Sequence, residues 1–144
     1  GQANWDQISR IKPYLRRIPL IGNGDLKTAD DIVTALARYD VDGVMVGRAA
    51  LGRPWLFRDA AAALRGESTP PDPNLSEQRA LLLEHYRLLA EQHGEEPAIV
   101  RLRSQACRYA HGQPGARAFR AEISHVTTSA ALQTIVDRHF SPEP

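Results

Sequence analysis

The pattern of apolar and polar positions divides the chain into an N-terminal stretch that mixes short strands with helices and a C-terminal stretch that reads as helices alone. Trp5, Ile8, Ile11 and Leu15 recur at the three-and-four spacing of a helix with one buried face, which Asn4 or Asp6 can cap. Pro13 falls inside that pattern and is expected to kink the helix or end its regular part. Ile18–Ile21 is a short apolar run with Pro19 near its start, broken by Gly22-Asn23-Gly24-Asp25. Thr28 followed by Asp31 resembles a capping box, and Ala29, Ile32, Val33 and Leu36 supply the apolar stripe of the helix it opens. A second apolar run, Gly43–Val46, ends in Gly47-Arg48, and the alanines after it predict a short helix. Arg53-Pro54-Trp55-Leu56-Phe57 opens another that runs to about Leu64.

Two apolar runs joined by a helix read as consecutive parallel strands, which places both glycine endings on one edge of a sheet. Two loops then face one ligand. Backbone N–H groups at the start of the alanine-rich helix, and the guanidinium fork of Arg48, favour an anion such as phosphate. A sheet of two parallel strands cannot bury both of its faces, so the chain reads as the C-terminal part of a larger α/β protein. An open strand edge predicts self-association of such a fragment.

Residues 67–75 are rich in proline and polar residues and read as a linker between a first segment, residues 1–66, and a helical one, residues 76–140. Ser76 is placed to cap a long helix carrying Leu82, Tyr86 and Leu89 on one face and ending at His93-Gly94. Pro97 opens a helix in which Ile99, Leu102, Ala106 and Tyr109 face inward while Arg101, Ser104, Gln105 and Arg108 face outward. After the Gly112–Gly115 turn, Ala116, Phe119 and Ile123 mark a short helix with Arg117 and Arg120 opposite. Thr127 or Thr128 caps the last helix, which buries Leu132, Ile135 and Val136.

Composition changes this picture in three ways. The net charge is only +1, but residues 97–144 hold six Lys/Arg against three Asp/Glu, a pointer to an anionic partner that Arg101, Arg108, Arg117 and Arg120 could contact. The single cysteine, Cys107, excludes an internal disulfide and a multi-cysteine metal site, and the five histidines have no metal spacing, so no metal is expected. With no run near the roughly 20 apolar residues of a membrane span and no signal pattern, the reading is a cytoplasmic protein.

Three longer stretches carry a resemblance. Ile18-Pro-Leu-Ile-Gly-Asn-Gly-Asp25 and Asp42-Gly-Val-Met-Val-Gly-Arg-Ala-Ala-Leu-Gly52, followed by Pro54-Trp55-Leu56-Phe57, closely resemble the C-terminal half of tRNA-dihydrouridine synthases. Tyr109-Ala-His-Gly-Gln-Pro-Gly-Ala116 and Arg120 extend the likeness more loosely. The resemblance implies an α/β fold, with strands 7 and 8 of a TIM (β/α)8 barrel followed by an all-α helical bundle domain. It also implies FMN-dependent reduction of uridine to 5,6-dihydrouridine in tRNA, with NADPH as reductant. By this likeness Asn23, Gly24, Asp25, Gly47 and Arg48 are FMN contacts, mainly around its phosphate, where barrel enzymes commonly build phosphate sites. It further implies that no catalytic residue lies in this chain: the family's catalytic cysteine, and its flavin-contacting Lys and His, are expected upstream of Gly1, which would leave the isolated chain inactive. Cys107 has no matching motif. Arg103-Ser104-Gln105 stands where many relatives resemble Arg-Lys-His. The other readings are an RNA-binding helical module without activity and a different FMN-dependent barrel oxidoreductase.

Overall fold

The computed structural model describes residues 2–141. The chain divides into two compact units, Gly1–Pro71 and Asp72–Pro144. The first contains α1 (Trp5–Ser9), β1 (Ile21–Asn23), α2 (Ala29–Arg38), β2 (Gly43–Met45) and α3 (Leu56–Leu64), with 3-10 turns at Lys12–Tyr14 and Arg48–Ala50. The second contains α4 (Leu75–His93), α5 (Glu95–Tyr109), α6 (Ala116–Ile123) and α7 (Ser129–Phe140).

In the first unit β1 and β2 pair in parallel, with Ile21 opposite Gly43, Gly22 opposite Val44 and Asn23 opposite Met45. The crossover is α2, whose start is the expected capping box: the Thr28 hydroxyl accepts the Asp31 N–H, and the Asp31 carboxylate accepts the Thr28 N–H at 2.9 Å. Asp31 also accepts the Lys27 N–H, and these bonds hold its pKa below the usual carboxylate value. The helix buries Ala29, Ile32 and Ala35 against Leu56 and Ala60 of α3, an apolar core beneath the two strands.

Asp42 ties the start of the strand pair together. Its carboxylate accepts the Leu20 N–H at 2.6 Å and pairs with Lys12, while its own N–H donates to the Leu20 carbonyl at 2.9 Å. The Lys12 bond, then that from Leu20, lowers the carboxyl pKa. Gly22 is buried directly under Trp5: a Cβ there would lie 2.3 Å from Cζ3 of the indole, so no other residue fits without moving the ring. Trp5 in turn stacks on Tyr39 with ring centroids 5.5 Å apart.

Several expected boundaries are corrected. The first strand is Ile21–Asn23, not Ile18–Ile21, because pairing with Gly43–Met45 draws in Gly22 and Asn23 while Pro19 has no N–H to give a ladder. The first helix is shorter than its apolar spacing suggested. It ends at Ser9, and Pro13 sits in the separate 3-10 turn. The alanines after Gly47 form a single 3-10 turn instead of an α-helix, and Pro54 precedes α3.

In the second unit α4 is capped by Asn74, not Ser76. The Asn74 side chain accepts the Glu77 N–H at 3.0 Å, and Glu77 accepts the Asn74 N–H at 2.8 Å. Gly94, at φ 84°, ends α4 and begins α5 two residues ahead of Glu96-Pro97. Ile99, Leu102, Ala106 and Tyr109 are buried as their spacing predicted, and Thr128 caps α7. Phe119 and Phe140 meet edge to face at 5.2 Å in the middle of this core.

His85 on α4 is half-buried, with Nδ1 3.4 Å from the Tyr109 hydroxyl on α5. Burial lowers the imidazole pKa below its ordinary 6.5, so the folded chain favours the neutral ring. Below that pH the unfolded chain binds more protons, and stability is lost as the pH falls. The thermal midpoint is therefore expected to drop between about pH 7 and about pH 5, and His85→Gln to flatten that drop. Parallel pH curves for the two proteins would contradict the assignment.

Candidate functional site

Because β1 and β2 run parallel and in register, the loops after Asn23 and Met45 leave from the same edge. The first is held in shape from the chain's N-terminal side. Gly24 has φ 135°, and a Cβ on it would lie 2.2 Å from the Cβ of Ala3; its carbonyl accepts the Trp5 indole N–H at 3.0 Å. Asp25 adopts a left-handed backbone with φ 56°, a conformation Asp tolerates better than most residues, and its Oδ2 accepts the Ala3 N–H at 2.7 Å. The second loop turns once at Arg48–Ala50. Ala50 and Leu51 donate back to Gly47 and Arg48, while the N–H groups of Arg48 and Ala49 have no acceptor among the described residues.

These loops form one wall of an open cavity of about 1000 Å³. Asn23, Gly24, Asp25, Gly47 and Arg48, the five residues singled out from the sequence, all line it. Lys27 and Met45 line it too, and neither was expected. Lys27 carries no motif of its own; the visible signal was its place in the same loop, one residue before the Thr28 cap.

The cavity's polar groups are available. Among the described residues the Asn23 amide and the Arg48 guanidinium have no hydrogen-bond or ion-pair partner, and Lys27 forms no ion pair. A Cβ on Gly47 would meet nothing within 4 Å, so that glycine leaves open space beside the exposed Arg48. Asp25 is the carboxylate of the lining, and it is engaged by Ala3. Two cations, free N–H groups and little side-chain bulk suit an anion with several oxygens, above all phosphate. Among the described residues no cluster of three His, Cys, Asp or Glu could hold a metal.

The arginines of the helical unit sort by their partners. Arg79 pairs with Asp137 at 2.6 Å, Arg87 with Glu84 and Glu91, and Arg138 with Glu122 at 2.8 Å. Arg103, half-buried, donates to the Val126 carbonyl at 2.8 Å and joins α5 to the segment after α6. Arg101 and Arg108 on α5, and Arg117 and Arg120 on α6, are exposed and have no ion pair among the described residues. Glu122, two residues from Arg120 in sequence, is taken by Arg138 and by His139 at 3.1 Å. From Pro97 to Ala121 the chain has five arginines and no Asp or Glu, so the stretch itself carries no carboxylate to neutralise them. Arg101 and Arg108 lie two turns apart on one face, and Arg117 and Arg120 one turn apart. Unlike the five cavity residues, they spread over two helices. Cys107 is half-buried, with its thiol on the Arg103 carbonyl at 3.3 Å.

Comparison with known proteins fits this geometry into a family. The family model described as Dihydrouridine synthase (Dus) matches residues 1–142. A probable tRNA-dihydrouridine synthase of Mycobacterium tuberculosis is 38% identical over 138 residues, covering 96% of this chain and 36% of that protein. tRNA-dihydrouridine synthase B of Pseudomonas putida is 34% identical over 141 residues, covering 98% and 42%. A probable tRNA-dihydrouridine synthase of Rickettsia prowazekii is 33% identical over 133 residues, covering 92% and 40%. The chain thus spans about two fifths of the length of these relatives. With nearly every residue inside the match, the chain belongs to the dihydrouridine synthase family.

Proposed function

We propose that this chain is the portion of a tRNA-dihydrouridine synthase that grips the FMN phosphate and helps to hold tRNA. In this reading β1 and β2 are strands 7 and 8 of a TIM barrel, residues 1–66 belong to that barrel, 67–75 are the linker and 76–140 form the tRNA-holding domain. The enzyme is a cytoplasmic oxidoreductase that reduces uridine to 5,6-dihydrouridine in tRNA, with NADPH as the source of electrons. FMN, when bound, supplies the hydride chemistry. The observation that carries the reading is that Asn23, Gly24, Asp25, Gly47 and Arg48 line one cavity whose guanidinium has no partner among the described residues.

The residues present fit the group. Arg48 offers two parallel N–H donors to phosphate oxygens, and the free N–H groups of Arg48 and Ala49 point to the same kind of ligand. Gly47 leaves open space for a ligand to approach the backbone, Gly24 makes room for Ala3 in the loop, and Asn23 supplies an amide for orientation. Asp25 lines the cavity beside them and also holds the loop, its Oδ2 accepting the Ala3 N–H. Cys107 is no candidate for the proton donor to uracil: its thiol is engaged within α5. That role falls to a residue outside this chain.

In the complete enzyme Arg48→Ala is expected to weaken FMN binding by about tenfold or more, read by titration of flavin fluorescence, because a charge-assisted pair contributes about 1.5–3 kcal/mol. Unchanged affinity would sink the phosphate assignment.

The four unpaired arginines support the tRNA role, since cations without internal partners are free to displace counterions from an RNA backbone. Replacing Arg101 and Arg108 together by Ala is expected to weaken tRNA binding and to reduce the slope of log affinity against log salt by about 2. A gel-shift series over salt measures this, and an unaltered slope would remove these two residues from the interface.

A further inference from the structure

We propose that Lys27 is a second phosphate-binding cation of the cavity, acting with Arg48 on the same anion; this rests on reading the cavity as a phosphate site. Both residues line the same space, one from each loop: Lys27 four residues beyond the end of β1, Arg48 three beyond the end of β2. The register that sets Asn23 opposite Met45 brings those two loops to one edge, so the cations enter from different strands toward a shared ligand.

Lys27 is exposed and forms no ion pair among the described residues, and the nearby Asp31 carboxylate accepts the N–H groups of Lys27 and Thr28. The Lys27 charge acts on Asp31 only through space, as the last of the causes that lower that carboxyl's pKa, so the ammonium makes no direct contact among the described residues that would hold it away from the cavity. Charge balance asks for a second cation. A phosphate monoester carries about −1.5 to −2 near neutral pH. Arg48 supplies one positive charge and Asp25 brings one negative charge into the lining. With Arg48 alone the lining is neutral overall, whereas Lys27 makes it positive, the sign an incoming dianion requires. The two cations also divide the work: the guanidinium fixes orientation through its planar fork, and the ammonium adds a mobile point charge.

The test compares FMN with riboflavin, which lacks the phosphate, on the complete enzyme. Lys27→Ala is expected to weaken FMN about fivefold and to leave riboflavin affinity unchanged, and Lys27→Arg to restore FMN binding. Because Lys27 is exposed, the variant keeps its fold, checked by circular dichroism, and Lys27→Glu supplies a second reading, with a larger loss for FMN only. If Lys27→Ala lowers both ligands equally or neither, while Arg48→Ala still discriminates against FMN, this inference is overturned and the phosphate site stands. If Arg48→Ala also fails to discriminate, the phosphate site itself falls, and the role of Lys27 with it.

Discussion

The register between two three-residue strands decides what the first unit can present. Shifting β1 by one residue against β2 would turn Gly22 away from Trp5 and move Asn23 off the edge it shares with Met45. So short a ladder holds its register weakly by itself. Asp42 supplies what the ladder lacks by joining the Leu20 backbone and the Lys12 ammonium at the start of the pair. The indole of Trp5 closes over Gly22, where no side chain could lie. The cavity thus depends on Asp42, Lys12, Leu20 and Trp5, none of which lines it.

Much of this was legible in the sequence, for identifiable reasons. The capping box of Thr28 and Asp31 is a local pattern whose two hydrogen bonds involve only neighbours, and it formed as spaced. The inward faces of α5 and α7 followed from helical periodicity, since only that face offers a continuous apolar stripe. The two loops could be found because glycine and polar residues ended both apolar runs, while the five cavity residues were named through the family resemblance. Strand limits could not be read locally: whether Ile18 or Asn23 belongs to β1 depends on where β2 lies beside it. Asn74 and Ser76 are both good caps, and Glu77 chose between them by returning the bond to Asn74. Lys27 was missed because a lysine in a polar loop resembles any other until its neighbours are placed around it.

The helical unit shows a division of labour among arginines that composition conceals. Three are consumed by carboxylates and one by a backbone carbonyl; those of Arg79, Arg138 and Arg103 join different elements, while Arg87 pairs within α4. The other four have no acidic partner in space among the described residues, since Glu122, the carboxylate near Arg120, is held by Arg138 and His139. Exposed ion pairs contribute little to stability, so their absence at these positions costs the fold almost nothing. It leaves positive charge where a polyanion can reach it.

The loop after β1 shows its value before any ligand arrives. Asp25 holds a left-handed backbone, a conformation disfavoured by about 1 kcal/mol or more, and the bonds from Ala3 to Asp25 and from Trp5 to Gly24 keep it there. The entropy lost in ordering this loop is therefore settled during folding, not during association. A ligand that enters finds the turn already in place, and its contact energy goes into affinity and not into arranging the protein. Preorganisation of this kind makes Ala3, at the cavity wall, and Trp5, outside its lining, partners in recognition through an N–H and an indole that hold the turn.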